Sequence, residues 1–227
     1  MKKLTAVAGV GVTAAALSLA LVGCGTDTKT EIKTSTSASA TTSAAPTRSA
    51  QASGPNYTIA DYVRDNDIVE TPVRRGDPGA PEIQLPSPDG WEDAGSRTPE
   101  SAYGAIVAID PAMADDPPMI VAQVSKMTGN ADPAKILEFA PGEVKNLPGY
   151  EPMGDGSSTT LSGFEAFQFG GMYKKNGVQR IIGQKTVVIP GPGGLYVLRL
   201  IADGLEDQMG TLMDATDAID QQTTIKP

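Results

Sequence analysis

Apolar positions along the chain fall into three regimes. Leu4 to Leu21 is an uncharged run rich in Ala, Val and Leu, set behind Met1-Lys2-Lys3. Gly25 to Asn56 is polar and small, with Ile32 its one large aliphatic residue. From Tyr57 onward apolar residues recur at the spacings of secondary structure. Thr58 before Ile59-Ala60-Asp61-Tyr62-Val63 predicts a short N-capped helix. Ile68–Val73 reads as extended. Pro72, Pro78, Pro81, Pro86 and Pro88 then punctuate the chain up to Trp91, leaving loop and one short strand at Ile83–Leu85. Tyr103–Ile109 and Met119–Met127 are apolar, partly β-branched runs, predicted as two strands joined by an acidic turn. Asp132-Pro133 is an N-cap followed by Pro at the first helical position, opening a helix through Phe139 that Pro141 breaks or kinks before Leu147.

The third quarter carries the clearest pattern. Phe164–Tyr173 and Val178–Ile189 are strands joined by Lys174-Lys175-Asn176-Gly177, and Asn-Gly between such runs is a strong hairpin signal. Pro190-Gly191-Pro192-Gly193-Gly194 makes a second turn into a strand at Leu195–Ala202. That strand is apolar on both alternating faces, so both its faces are covered. Leu205, Met209, Leu212, Met213, Thr216 and Ile219 then fall at helical spacing and predict an amphipathic closing helix. Residues 57–227 thus form one α+β domain, an antiparallel β-sheet flanked by helices.

The opening 23 residues have the form of a secretory signal peptide. They end in Leu21-Val22-Gly23-Cys24, the pattern of a bacterial lipobox, and Cys24 is the chain's one cysteine. A bare membrane-spanning anchor with an incidental cysteine is the competing reading, but the apolar run is short for a span. Lipidated Cys24 would carry two or three acyl chains, enough for stable anchoring. Residues 24–56 then form a Ser/Thr/Ala-rich stalk that cannot bury enough apolar surface to offset chain entropy. The expected location is the cell membrane, lipid-anchored and facing the extracytoplasmic side.

Composition narrows the chemistry. Histidine is absent, which excludes Ser-His-Asp and Cys-His catalysis and His-ligated zinc. One cysteine excludes an intrachain disulfide and a Cys₄ metal site. The formal charge is −9, and thirteen basic against 25 acidic residues after position 56 leave the domain at −12. Phosphate backbones are repelled by that field, so no nucleic-acid partner is expected. The acidic stretches Asp65–Glu70 and Asp110–Asp116 lack calcium-loop spacing. The glycine-rich Pro190–Gly194 opens a strand, whereas a phosphate loop opens a helix. A Ser-Lys dyad with Lys126 or Lys185 is formally open, but no Ser-x-x-Lys spacing occurs in the domain. No enzyme, metal or cofactor is expected.

Longer segments carry a resemblance. Tyr57–Tyr62, Glu70–Val73, Gly76–Gly79, the Leu85–Trp91 stretch, Ala131–Lys135, Phe139–Glu143, Lys145–Gly149 and Gln184–Pro190 are similar to the LpqN/LpqT family of mycobacterial lipoproteins, as are Leu212–Ala215 and Ile219-Asp220. The resemblance implies a Mog1/PsbP-like fold and no known catalytic activity. It also implies a place in the envelope, lipid or glycolipid handling near membrane lipid exporters, and host-protein contacts in pathogens. It transfers no site residues, so candidates come from the residues alone. Phe167 and Phe169 share a strand face with Tyr173, while Phe164 points the other way; Trp91 sits in a Pro/Gly-rich loop. These five are the ligand-pocket candidates, with a core role as the competing reading for each. Two function classes follow: a tethered module binding envelope glycolipid or a long-chain amphiphile, and a protein–protein adaptor.

Overall fold

The computed structural model describes residues 54–227. The signal-peptide reading of residues 1–23, Cys24 and the stalk up to residue 53 lie outside the described residues.

The domain opens on Ile59–Asp65 (α1). Thr58 and Asp61 form a reciprocal cap: the Thr58 hydroxyl accepts from Asp61 N–H at 3.1 Å, and the Asp61 carboxylate accepts from Thr58 N–H at 3.0 Å. Strands Val69–Val73 (β1), Glu82–Gln84 (β2), Trp91–Asp93 (β3), Gly104–Ala108 (β4) and Met119–Thr128 (β5) follow. Pro133–Phe139 (α2) starts on the Asp132 cap, and after Pro141 the chain makes one further turn, Gly142–Lys145 (α3). Glu151–Pro152 (β6), Ser157–Leu161 (β7), Phe164–Lys175 (β8), Val178–Gly191 (β9) and Gly194–Leu205 (β10) lead into Met209–Gln222 (α4) and Thr224–Lys226 (β11).

Among the described residues, nine strands form one antiparallel sheet in the order β3-β4-β5-β10-β9-β8-β6. β1 lies on β5 beside β4, and β7 lies on β8 beside β6; β2 and β11 form a separate pair. Asn176 and Gly177 both take positive φ, 54° and 81°, the mirror-image turn whose twist suits a hairpin. The glycine-rich stretch differs from expectation. Pro190 and Gly191 belong to β9 and Gly194 to β10, so only two residues turn; Gly191 pairs with Gly194 at the ladder's end and Pro190 with Leu195 next to it.

The sheet is buried on both sides, as the doubly apolar β10 requires. One face packs Leu198, Val187, Ile120 and Val124 under Leu212, Ala215 and Ile219 of α4. The other packs Val197, Val188 and Met127 under α1 and α2, and Ile182 under Val144 of α3. Two elements depart from the sequence pattern. Leu205 ends β10 instead of opening the helix, and Met213 points to solvent at 58% exposure. β3, β6, β7 and β11 are too short or too polar for their periodicity to announce them.

Ion pairs fasten the layers. Arg180, buried on β9, holds Asp116 at 2.5 Å and Asp203 at 2.5 Å, and the Tyr173 hydroxyl donates to Asp203. Lys185 pairs with Asp220 beneath α4, and Arg199 reaches Glu143 of α3 at 2.6 Å.

Candidate functional site

Among the described residues, an open groove of about 670 Å³ lies between α2 and the β7–β8 ribbon. Its formation follows from the local sequence. α2 is amphipathic over two turns: Ile136 is fully buried against the sheet, while Ala134 and Leu137 face the groove. Across from them, the two-residue turn Ser162-Gly163 closes β7 onto β8, with φ of 51° and 84°. Register then places Ser158 opposite Phe167 and Thr160 opposite Glu165. These four residues floor the groove. Gly156, at φ +78°, lets the chain pass hard against the Phe167 ring; a Cβ there would sit 2.8 Å from it.

The lining mixes two chemistries. Leu137, Ala134 and the Phe167 ring are apolar; Ser158 and Thr160 present hydroxyls; Glu138 and Glu165 present carboxylates. Glu138 is engaged by Lys135 at 2.6 Å, and that hydrogen bond raises Lys135 above its ordinary value. Glu165 has no ion-pair partner among the described residues. The two carboxylates therefore differ: one is neutralised, the other faces solvent with its charge unbalanced.

The five sequence candidates do not share one site. Phe167 lines the groove, half-buried, and stacks in a tilted arrangement 6.0 Å from Phe169. Phe169 is half-buried between the α1–α2 and α3 core clusters. Tyr173 is buried beside Val144 and Ile182, with its hydroxyl committed to Asp203. Burial, then the Asp203 hydrogen bond and charge, push its phenol well above the usual range. Phe164 packs toward the α4 face, as its alternation predicts. Trp91 is a strand residue of β3, 7% exposed in the α4-side core and on the opposite side of the sheet from Phe167. The indole plugs the core edge because Pro88 and Gly90 turn the chain inward there, with Trp91 N–H bonded to Pro88 O at 3.0 Å.

Sequence reasoning missed Leu137, Glu138, Ser158, Thr160 and Glu165. A usable signal existed in Thr159-Thr160 ahead of Ser162-Gly163, a β-branched pair leading into a tight turn. A second, much smaller cavity of about 90 Å³ lies under α4, walled by Ile106, Ile120, Leu200 and Ile219 with Arg75 at its side.

The dyad candidates are otherwise occupied. Lys185 is held by Asp220, and Lys126 lies over the Tyr196 ring at 5.4 Å. Among the described residues, no three Asp, Glu or Cys side chains converge as a metal-ligand set, and no helix is long and apolar enough to cross a membrane.

The family model described as probable lipoprotein LpqN matches residues 55–226. The chain belongs to the LpqN lipoprotein family. Lipoprotein LpqN of Mycobacterium tuberculosis is 60% identical over 179 residues, covering 78% of this chain and 77% of that protein. A crystal structure of LpqN, described as involved in cell envelope biogenesis of Mycobacterium tuberculosis, aligns with a TM-score of 0.72 at 60% identity. It covers 77% of this chain and all of that one. The solution structure of a cyanobacterial PsbP from Synechocystis is a remote likeness, at 11% identity and a TM-score of 0.38 over 69% of this chain and 92% of that one. The α+β architecture expected from the sequence is the one the LpqN family has, and the family description names no catalytic activity.

Proposed function

We propose that this LpqN-family protein is a non-catalytic binding module of the cell envelope, anchored through lipidated Cys24 on the extracytoplasmic side of the cell membrane. Its groove between α2 and β7–β8 holds the headgroup and first carbons of a glycolipid or long-chain amphiphile. The observation that supports this best is the lining: an aromatic ring and aliphatic side chains beside hydroxyls and an unneutralised carboxylate, outside the packed core. An alkyl chain gains about 0.8 kcal/mol per buried CH₂ against Leu137 and Phe167. Sugar hydroxyls donate to the Glu165 carboxylate and exchange hydrogen bonds with Ser158 and Thr160, charge-assisted bonds being the stronger kind. The groove's volume suits a ligand site of ordinary size. The setting is supported by the envelope role described for the Mycobacterium tuberculosis protein.

The test is calorimetric titration with alkyl glycosides of rising chain length. Affinity is expected to rise with each CH₂, and Phe167→Ser is expected to weaken it while leaving the thermal midpoint near the wild-type value. No binding across the series, or equal loss in Trp91→Phe, which alters the opposite face, removes the reading. Anchoring is tested separately: Cys24→Ala is expected to abolish incorporation of labelled palmitate.

A further inference from the structure

We propose that β7 is a docking strand. It takes up an extended segment of a partner protein in antiparallel pairing, and the segment carries a basic residue followed two positions later by a large apolar one.

An exposed sheet edge offers unpaired backbone donors and acceptors, and proteins blunt such edges with proline, charge or brevity. Every other edge strand described here is blunted. β1 carries Pro72 and Glu70, β3 has three residues including Glu92 and Asp93, and β6 has two residues including Pro152. β2 and β11 are three residues each and carry Glu82 and Lys226. β7 is Ser-Ser-Thr-Thr-Leu, with neither charge nor proline, and its first four residues are exposed or half-exposed. It pairs with β8 on one side, and among the described residues no backbone group of Ser158 or Thr160 has a partner on the other.

The turn fixes which groups face outward. A two-residue turn makes its flanking residues, Leu161 and Phe164, a hydrogen-bonded pair. Ser157, Thr159 and Leu161 therefore bond to β8, and the N–H and C=O of Ser158 and Thr160 point away from the sheet. Leu161 packs into the α4-side core, so Ser158 and Thr160 turn their side chains to the groove face.

Their small size sets the partner's chemistry. A long side chain on the added strand opposite Thr160 crosses that residue and reaches Glu165, its neighbour on β8. One opposite Ser158 crosses to the Phe167 ring and Leu137. Glu165 lacks a counter-ion among the described residues and the domain is acidic overall, so the first side chain is Lys or Arg. The second is apolar. Antiparallel direction puts the residue opposite Thr160 first, which gives the order basic, any, apolar. Backbone addition supplies the affinity and these two positions the specificity. The groove floor is shared with the amphiphile of the preceding proposal, but the strand's hold is on the β7 backbone, which an amphiphile does not need.

The experiment uses the full chain anchored in phosphatidylcholine vesicles and a fluorescent Thr-Thr-Lys-Thr-Leu-Thr-Thr peptide read by anisotropy. The expected result is saturable binding, weaker by about tenfold for the peptide with Lys and Leu exchanged. Glu165→Lys is expected to reverse the charge preference toward a peptide with Glu in place of Lys. Ser158→Pro removes an outward N–H without touching the β8 ladder and is expected to abolish peptide binding. Methylating the peptide's backbone nitrogens at Lys and Leu is expected to do the same with the protein unchanged. Unaltered binding of the methylated peptide, or no preference between the two sequence orders, overturns the proposal. So does self-association of the chain that Ser158→Pro abolishes, which makes a second copy the occupant.

Discussion

Arg180 shows what single residues do here that a linear sequence conceals. Its partners Asp116 and Asp203 lie 64 and 23 positions away, so nothing in their local spacing announces a buried charge cluster. Burial disfavours the guanidinium's charge, but hydrogen bonds to both carboxylates outweigh that and hold it protonated. Arg180→Met strands two carboxylates near the sheet and is expected to cost about 1.5–3 kcal/mol, the worth of hydrogen bonds to charged groups. Urea unfolding checks it; a loss below about 0.5 kcal/mol would mean Asp116 and Asp203 are solvated without it. Tyr173 adds a pH signature. Burial first, and the Asp203 carboxylate second, raise its folded value above the ordinary phenol near 10. The folded state therefore binds the proton more tightly, and that contribution is whole below pH 10 and is lost as pH rises above it. Stability of the wild type is expected to fall more steeply above pH 10 than that of Tyr173→Phe; parallel curves from pH 9 to 11 would refute it. The aromatic residues of β8 were legible in part. Period-two alternation separates Phe164 from Phe167, Phe169 and Tyr173, but alternation cannot say which of the last three is covered. That depends on where α2 and α3 end, and it leaves only Phe167 at the groove. The setting of Trp91 differs from the sequence pattern for a related reason: a Pro/Gly-rich context reads as loop, while the three-residue β3 is defined by its pairing with Ala108, Val107 and Ile106.

At the scale of elements, legibility tracked length and amphipathicity. The β8–β9–β10 meander and α4 could be read because long runs repeat their period several times. β7 could not, since Ser and Thr give no apolar alternation, and what makes it a strand is the ladder with β8. α4 offers a paired test of the helical reading. Leu212 is 4% exposed beneath the helix, whereas Met213, one position on, is turned about 100° away into solvent. Leu212→Ala is expected to cost about 2–5 kcal/mol as a core truncation. Met213→Ala is expected to change stability by less than about 0.5 kcal/mol. Similar costs at both positions in thermal or chemical unfolding would mean that the helix is rotated or that its outer face is covered.

At the scale of the whole molecule, the question is where the folded unit starts. The sequence put the boundary at Tyr57, on the composition change alone. One position before it, Asn56 is tied in twice: its backbone and side-chain N–H groups each donate to Asn146 Oδ1 at 3.0 Å. Asn146 returns a bond to Asn56 O at 2.9 Å. Tyr57 then sets its ring edge-on to Phe139 at 4.7 Å and its hydroxyl on Asp65 at 3.0 Å. These contacts staple the chain's entry to α2, α3 and α1, the helices that cover one face of the sheet. A chain beginning at Gly54 keeps all of them and is expected to retain the Tm of the full chain. One beginning at Thr58 loses the three hydrogen bonds of the Asn pair, the Tyr57–Asp65 hydrogen bond and an aromatic contact, each worth about 0.5–1.5 kcal/mol. In a domain of this size each kcal/mol moves Tm by about 2–4 °C, so a fall of several degrees is expected. Calorimetry on the two chains decides it. A fall already present in the chain beginning at Gly54 would mean that residues before it pack on the domain, and equal midpoints would mean that the Asn56–Asn146 clasp holds the tether without supporting the fold.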